Sequence, residues 1–172
     1  MTVKRLKLFG LAALVLGLSG IVACNKGTTT TGYVSQGTVT ATIGSNSFAP
    51  PLTEAVYSPV TYSTFAVLGI QTGKDSTFLR IELPLVGFVV GTAFSSDTAT
   101  ASGLSYFDSE RTYEYDALFG NAASHSLINI TSWDSVHLKV AGTFSGVLYN
   151  INNASDSMVL TNGTFSTSYT VE

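Results

Sequence analysis

Two carboxylates, Glu114 and Asp116, alternate with Tyr113 and Tyr115 in a stretch whose pattern predicts a β-strand. Successive side chains of a strand point to opposite faces, so both acids would share one face about 7 Å apart. Glycosidases use two carboxylates about 5 to 10 Å apart, and this spacing therefore allows glycan hydrolysis. A half-exposed strand with its tyrosines inward and its acids in water shows the same alternation. We expect no catalytic residue in this chain.

Histidine chemistry is limited to His125 and His137, the only two histidines of the sequence. A metal site would need both to converge with a carboxylate such as Asp108 or Glu110, and the spacing gives no reason to expect this. A Ser-His-Asp arrangement lacks the Gly-x-Ser-x-Gly turn that would support it. We predict no metal site, no cofactor and no enzymatic activity.

Aromatic residues are numerous, with ten Phe, eight Tyr and one Trp. They could stack on sugars or line a cavity for an apolar ligand, although the core of a β-domain also needs them. Trp133 lies beside a predicted turn and is the best candidate for exposure. In a hollow barrel, the side chains facing the ligand would include Phe65, Phe78, Phe144 and Phe165.

The N-terminus has the order of a secretory leader, with Lys4, Arg5 and Lys7 preceding an apolar run over residues 8–18. The run ends in Ile21-Val22-Ala23-Cys24, which resembles the lipobox of bacterial lipoproteins. This resemblance implies a signal peptide over residues 1–23 and lipidation of Cys24 by a thioether-linked diacylglycerol. Further acylation of the new amino group, for example with palmitate, would follow. Two or three acyl chains hold a domain firmly on a bilayer.

A membrane-spanning anchor is the alternative for the leader. The apolar stretch over residues 8–23 would form a helix of roughly 24 Å, shorter than the roughly 30 Å of membrane hydrocarbon. Cys24 is the only cysteine of the chain. Its lipidation would leave neither a disulfide nor a Cys-ligated metal site, so the fold must depend on its core.

Size and charge limit the class of protein further. A chain of 172 residues has room for one domain, and its 45% hydrophobic and 11% charged residues argue against disorder. Three of the eight basic residues precede the lipobox, so five remain from Cys24 onward against eleven acidic ones, a net charge of −6. Nucleic acid is therefore not expected as a partner.

The segment after Cys24 is polar and threonine-rich, and it predicts a flexible tether over residues 24–36 ahead of a β-domain over residues 37–172. Asn25 and Lys26 follow the cysteine. In lipoprotein sorting an Asp there favours the inner membrane, so we expect the outer membrane. The tether lacks acidic residues, which favours the periplasmic over the cell-surface face.

From Gly37 onward the sequence consists of short runs rich in Val, Ile, Thr, Phe and Tyr between turn residues, which is typical of an all-β fold. A hairpin is predicted from the alternation over residues 38–43 and the turn before Phe48. The other predicted strands cover residues 62–71, 76–83, 86–90, 102–107, 112–118, 126–134, 136–150 and 158–171.

The last three of these runs predict a meander of neighbouring strands. Gly-Thr-Phe-Ser occurs at residues 142–145 and again at 163–166, and we interpret both glycines as bends that let a strand coil. Nine or ten short strands must hide their edges. The sequence therefore predicts a single antiparallel β-barrel or a two-sheet β-sandwich.

The order of these motifs resembles a family of Bacteroidota lipoproteins of unknown role that carry a lipobox and one β-domain. The segments that carry the resemblance, besides the lipobox and tether, are residues 39–48, 79–84, 128–134, 140–145 and 160–165. The resemblance implies a lipid-anchored β-domain and transfers no reaction.

The expected function is that of a non-catalytic binding or envelope-assembly module held at the outer membrane, where tethering raises the effective concentration of partners. Candidate partners are an envelope protein, a glycan or a small apolar ligand. Three alternatives are a lipocalin-like carrier, a glycan-acting hydrolase that uses Glu114 and Asp116, and an adhesion module with an exposed aromatic patch or edge strand.

Overall fold

The computed structural model of the protein describes residues 35–58, 64–71, 77–84, 90–91, 93–95, 102–108, 113–117 and 124–171. Several predictions fall outside these residues, namely the leader, Cys24, the tether up to residue 34, the run 86–89 and Glu110. Among the described residues, none belongs to a helix of the length and apolarity needed to cross a membrane.

Within the described residues the chain forms twelve strands and no helix, which confirms the all-β prediction. The strands are β1 (Gly37–Ile43), β2 (Asn46–Phe48), β3 (Leu52–Ser58), β4 (Thr64–Gln71), β5 (Thr77–Pro84), β6 (Ala93–Ser95), β7 (Gly103–Asp108), β8 (Tyr113–Ala117), β9 (His125–Asp134), β10 (Lys139–Asn150), β11 (Asn153–Ser168) and β12 (Thr170–Val171).

The strands belong to one large mixed sheet that is not closed. Its main path runs β12-β3-β4-β5-β7-β8-β10-β11-β1-β2, and β9 and β6 branch from β10. All pairs are antiparallel except β12 with β3, which is parallel. The predicted meander is confirmed, because β10 pairs with β9 on one edge and with β11 on the other.

Alternation determines which side chains enter the core. In β5, Leu79, Ile81 and Leu83 are fully buried, whereas Phe78, Arg80 and Glu82 lie on the opposite face and are only partly buried. This agrees with the alternation of the sequence, because a strand with one face on the core places every second residue inward. β5 ends at Pro84, which has no backbone N–H to donate.

The two Gly-Thr-Phe-Ser copies pair with each other across β10 and β11. Gly142 lies opposite Phe165, and Phe144 lies opposite Gly163. A Cβ atom on either glycine would come within about 2.5 Å of the ring of the opposite phenylalanine. Each glycine therefore makes room for an aromatic ring of the neighbouring strand, a role that the predicted bend does not capture.

The turn between β9 and β10 is longer than predicted, and β10 begins at Lys139 instead of residue 136. Asp134 Oδ1 accepts hydrogen bonds from the backbone N–H groups of Val136 and His137, both at 2.9 Å. Leu138 has a positive φ of 52°, and Val136 is 83% exposed. The local hydrogen bonds to Asp134 thus outweigh the alternation that predicted a strand here.

The β10–β11 turn is shorter than predicted. It contains only residues 151 and 152, and β11 already begins at Asn153. Asn150 Oδ1 accepts a hydrogen bond from the backbone N–H of Asn152, which fixes the tight turn. The carboxylate of Asp156 accepts hydrogen bonds from Tyr115 Oη and Asn150 Nδ2, so this end of the hairpin is attached to β8.

Residue Gln36 connects two distant strands. Its N–H donates to the carbonyl oxygen of Thr53 in β3 at 2.9 Å, and its carbonyl oxygen accepts from the N–H of Ser168 in β11 at 3.0 Å. Ser35 Oγ also accepts a hydrogen bond from the Thr53 N–H. Ser35 and Gln36, at the end of the predicted tether, are thus hydrogen-bonded to β3, and Gln36 also to β11.

Candidate functional site

The predicted carboxylate pair lies on the face of β8 that points away from the core, because Tyr115 and Ala117 take the core face. Across the ladder, Asp116 pairs with Ser105 of β7, and Ser105 pairs with Arg80 of β5. Glu114 and Asp116 thus share one face, as the alternation predicted. Arg80 Nη2 lies 3.0 Å from Glu82 Oε2, which adds a third carboxylate to the surface.

The surroundings of Glu114 change its protonation. Partial burial is the main cause that raises the pKa of Glu114, and the nearby charge of Asp116 raises it further. The Arg80 guanidinium lowers it, but less than the other two effects raise it. A carboxyl group with a raised pKa next to an ionised one is the arrangement that acid catalysis of glycoside cleavage requires, although ion-pair networks without catalysis also produce it.

The Glu114→Gln variant is expected to be more stable than the wild type at neutral pH and equally stable at low pH. The folded state raises the pKa of Glu114, so its ionisation opposes folding, and this cost appears as the pH rises through the folded-state pKa. Below the ordinary pKa of a glutamate the carboxyl is protonated in both states, and the amide brings no gain. Thermal unfolding between pH 3 and pH 8 measures the difference.

The control for this prediction is the same substitution in an Asp116→Asn background. Removing the charge of Asp116 removes one cause of the raised pKa, so the gain from Glu114→Gln should shrink there. An equal gain in stability from Glu114→Gln at every pH would contradict a raised pKa of Glu114 in the folded state.

The histidines do not meet in the structure. His125 is exposed at the start of β9, whereas His137 lies in the turn after β9, with its Nδ1 2.7 Å from Asp134 Oδ2. The hydrogen bond from the His137 backbone N–H, and then that from its side chain, lower the pKa of Asp134. Among the described residues, no three His, Cys, Asp or Glu side chains converge in a geometry that could hold a metal ion.

Aromatic rings of four different segments gather at one end of the domain. Trp133 is half-buried and stacks on Tyr169, with ring centroids 4.9 Å apart. Phe65 contacts both rings edge-on at 5.6 and 5.4 Å, and Tyr57 packs beside all three. Trp133 thus packs on the core through one face, which supports a structural role for this aromatic cluster.

Of the four phenylalanines expected around a hollow interior, three lie in the core. Phe65, Phe144 and Phe165 are at most 3% exposed. Phe78 lies on the other face of the sheet and stacks on Phe107 with ring centroids 5.0 Å apart, so its predicted position is wrong. The reason is its register in β5, where it alternates with the buried Leu79.

An open cavity of about 400 Å³ lies on the sheet where β9, β10 and β11 run side by side. None of its lining residues is ionisable. The lining consists of Leu127, Asn129, Thr143, Phe144, Ser145, Asn162, Gly163 and Thr164. We call it the hydroxyl–amide cavity, because most of the side chains around it carry a hydroxyl or an amide group. It differs in chemistry from the surface around Glu114.

The hydroxyl–amide cavity adjoins an irregularity in β11. The register of β11 shifts between Leu160 and Gly163 against β10, and at the same level against β1. Asn162, within this β-bulge, is exposed and has a positive φ of 52°. Bulges of this kind re-aim side chains and are frequent at binding sites.

One buried acceptor lies in the wall of this cavity. In the described part of the chain, Asn129 Oδ1 is inaccessible to solvent and has no hydrogen-bond partner, and such a group lowers the stability of the fold unless something else satisfies it. Sequence reasoning did not identify this site. The available signal was the Asn162-Gly163 dipeptide, a pair that favours turns and bulges.

No protein-family model, no curated protein and no solved structure matches the chain. The resemblance to Bacteroidota lipoproteins stays a prediction that rests on the motifs described above.

Proposed function

We propose that the protein is a bacterial lipoprotein, anchored in the outer membrane through acyl chains on Cys24, whose β-domain acts as a non-catalytic binding or envelope-assembly module. The leader over residues 1–23 would be removed on processing. The lipid anchor is supported by the position of the only cysteine. Cys24 directly follows Ile21-Val22-Ala23, at the end of a leader with basic residues and an apolar run.

We further propose that the open sheet curls into a barrel or a pair of packed sheets. The hydrogen bonds of Gln36 support this, because they join β3 to β11, which lie far apart along the sheet. The buried hydrophobic residues of both parts also belong to one core, which includes Val67 of β4 and Leu160 of β11. A curled sheet leaves fewer free edges for aggregation at the membrane.

Binding is supported by the hydroxyl–amide cavity, whose lining carries no group that could transfer a proton at neutral pH. A tethered domain works at high effective concentration, so weak contacts in an open cavity suffice. A lipocalin-like carrier is less well supported, because the rings of Phe144 and Phe165 occupy the space over Gly163 and Gly142 inside the domain.

The anchor predicts that a Cys24→Ala variant leaves the membrane fraction or accumulates with its leader uncleaved. The acyl chains contribute about 0.8 kcal/mol for each buried methylene group, so their loss removes nearly all of the membrane affinity. Fractionation of cells that express the full chain measures this. The control is Ala23→Gly, which keeps a small residue before the cysteine and should remain in the membrane.

A wild-type protein that keeps its leader and carries no acyl chains, with Cys24→Ala retained in the membrane to the same extent, would contradict lipid anchoring. It would instead favour a spanning helix in the leader.

A glycan-acting hydrolase is the second candidate, and the raised pKa of Glu114 beside Asp116 favours it. In that function Glu114 would donate a proton to the leaving oxygen, and Asp116 would act as nucleophile or base. Release of reducing sugars from polysaccharides by the wild type, abolished in Glu114→Gln, would establish hydrolysis and overturn the non-catalytic function.

A further inference from the structure

We propose that the hydroxyl–amide cavity between β9, β10 and β11 binds a neutral saccharide. This inference rests on the proposed binding function and specifies its ligand. The cavity of about 400 Å³ has room for a few sugar rings, being within the size range of small-molecule sites.

The buried acceptor defines the hydrogen bonding that the ligand must supply. Asn129 Oδ1 has no hydrogen-bond donor among the described residues and is closed to water, so a ligand O–H or N–H group gains a hydrogen bond to it, without breaking another, once the amide turns toward the cavity. Asn162, held exposed at the bulge by its positive φ, offers a second amide at the same cavity. Amide side chains that donate and accept suit hydroxyl groups, which do both.

The ladder around the cavity determines which protein groups remain for recognition. Thr143 of β10 pairs with Asn129 on one side and with Thr164 on the other, and Thr164 pairs in turn with Thr40 of β1. Asn129 also pairs with Ala93 of β6. Both edges of β9, β10 and β11 are therefore paired at this level, and an extended peptide cannot add to these three strands through its backbone. Recognition must use side chains on the sheet face.

The lining also selects for charge and shape. It contains no Lys, Arg, Asp or Glu, so a phosphate or a uronic acid would lose hydration without gaining an opposite charge. Thr143 and Ser145 follow each other on the outward face of β10, and they present two hydroxyl groups in a row. Leu127, which is 48% exposed, offers an apolar surface for the C–H face of a sugar ring. A neutral, polyhydroxylated ligand fits these groups best.

The test is binding of the full-length acylated protein in detergent to immobilised oligosaccharides. The array carries neutral manno-, xylo-, malto- and galacto-oligosaccharides beside anionic oligogalacturonates and sulfated glycans. We expect capture on neutral glycans, and a loss of affinity of roughly tenfold or more in Asn129→Ala, since a buried hydrogen bond to the ligand disappears. The matched control is Thr131→Ala, an exposed residue of the same strand outside the lining, which should bind within about twofold of the wild type.

Thermal unfolding shows whether Asn129→Ala still folds. Its midpoint should equal or exceed that of the wild type, because the deleted oxygen has no hydrogen-bond partner among the residues that the structure describes. Glycan binding by Asn129→Ala that equals that of the wild type overturns the proposal, and so does a loss of affinity in Thr131→Ala as large as that in Asn129→Ala. Capture on anionic glycans only, or no capture on neutral glycans at millimolar site concentrations, also overturns it.

A peptide-array signal sensitive to Asn129→Ala, without glycan capture, would overturn the saccharide and leave the binding function intact. Failure of the anchoring proposal gives a different result, because the mass of the purified protein would then show Cys24 without acyl chains.

Discussion

The Gly163→Ala variant is expected to lose about 3 kcal/mol of unfolding free energy, the upper end for overpacking a core. A Cβ atom at Gly163 would lie 2.4 Å from the carbonyl oxygen of Phe144 and 2.5 Å from its ring. Both contacts are shorter than real Cβ atoms tolerate, so β10 and β11 must move apart or the ring must turn. Chemical denaturation monitored by tryptophan fluorescence measures the loss.

The control for Gly163→Ala is Gly44→Ala, the same substitution in the β1–β2 turn. Gly44 has a positive φ of 59° and no atom near the added methyl group, so only backbone strain of about 1 kcal/mol is expected. A partial recovery of Gly163→Ala by a second substitution, Phe144→Leu, would identify the ring as one cause. Equal losses at the two glycines would contradict the reciprocal packing of the two Gly-Thr-Phe-Ser copies.

The Phe65→Ala variant is expected to lose about 3 to 5 kcal/mol, the range for truncating a buried aromatic side chain. Phe65 is fully buried, and its ring contacts Tyr57, Trp133 and Tyr169. Its removal leaves a void between β4 and the end of β9, where these rings hold the two parts of the sheet together. Denaturant unfolding of the full chain in detergent measures the loss.

The matched control for Phe65→Ala is Phe78→Ala on the neighbouring strand. Phe78 is partly exposed and stacks on Phe107, so its truncation should cost clearly less. Losses of the same size would contradict the assignment of Phe65 to the core and Phe78 to the outer face.

Alternation in the sequence predicted the strands whose two faces differ in polarity. In the predicted strand over residues 76–83, Leu79, Ile81 and Leu83 alternate with polar residues and all three are buried, because a single short segment contains all the information that this alternation needs. The same rule failed at Val136 and Leu138. There the side chain of Asp134 offers hydrogen bonds to the backbone, and such local competition is invisible to a hydrophobic pattern.

The two candidate sites also differ in how far the sequence predicts them. The common face of Glu114 and Asp116 follows from their spacing, whereas the Arg80 beside them comes from β5 through the register of β7. The hydroxyl–amide cavity lies on the predicted meander, but it depends on the bulge at Asn162, which shifts the register of β11 against β10. The Asn162-Gly163 dipeptide favours a turn or a bulge, and it does not by itself show which side chains the shifted register brings around a cavity.

The most direct test of lipid anchoring is the intact mass of the full protein extracted from membranes. A chain that begins at Cys24 and carries the added mass of a diacylglycerol, with or without a third acyl chain, is the predicted result. A chain of all 172 residues with an unmodified thiol at Cys24 would contradict it.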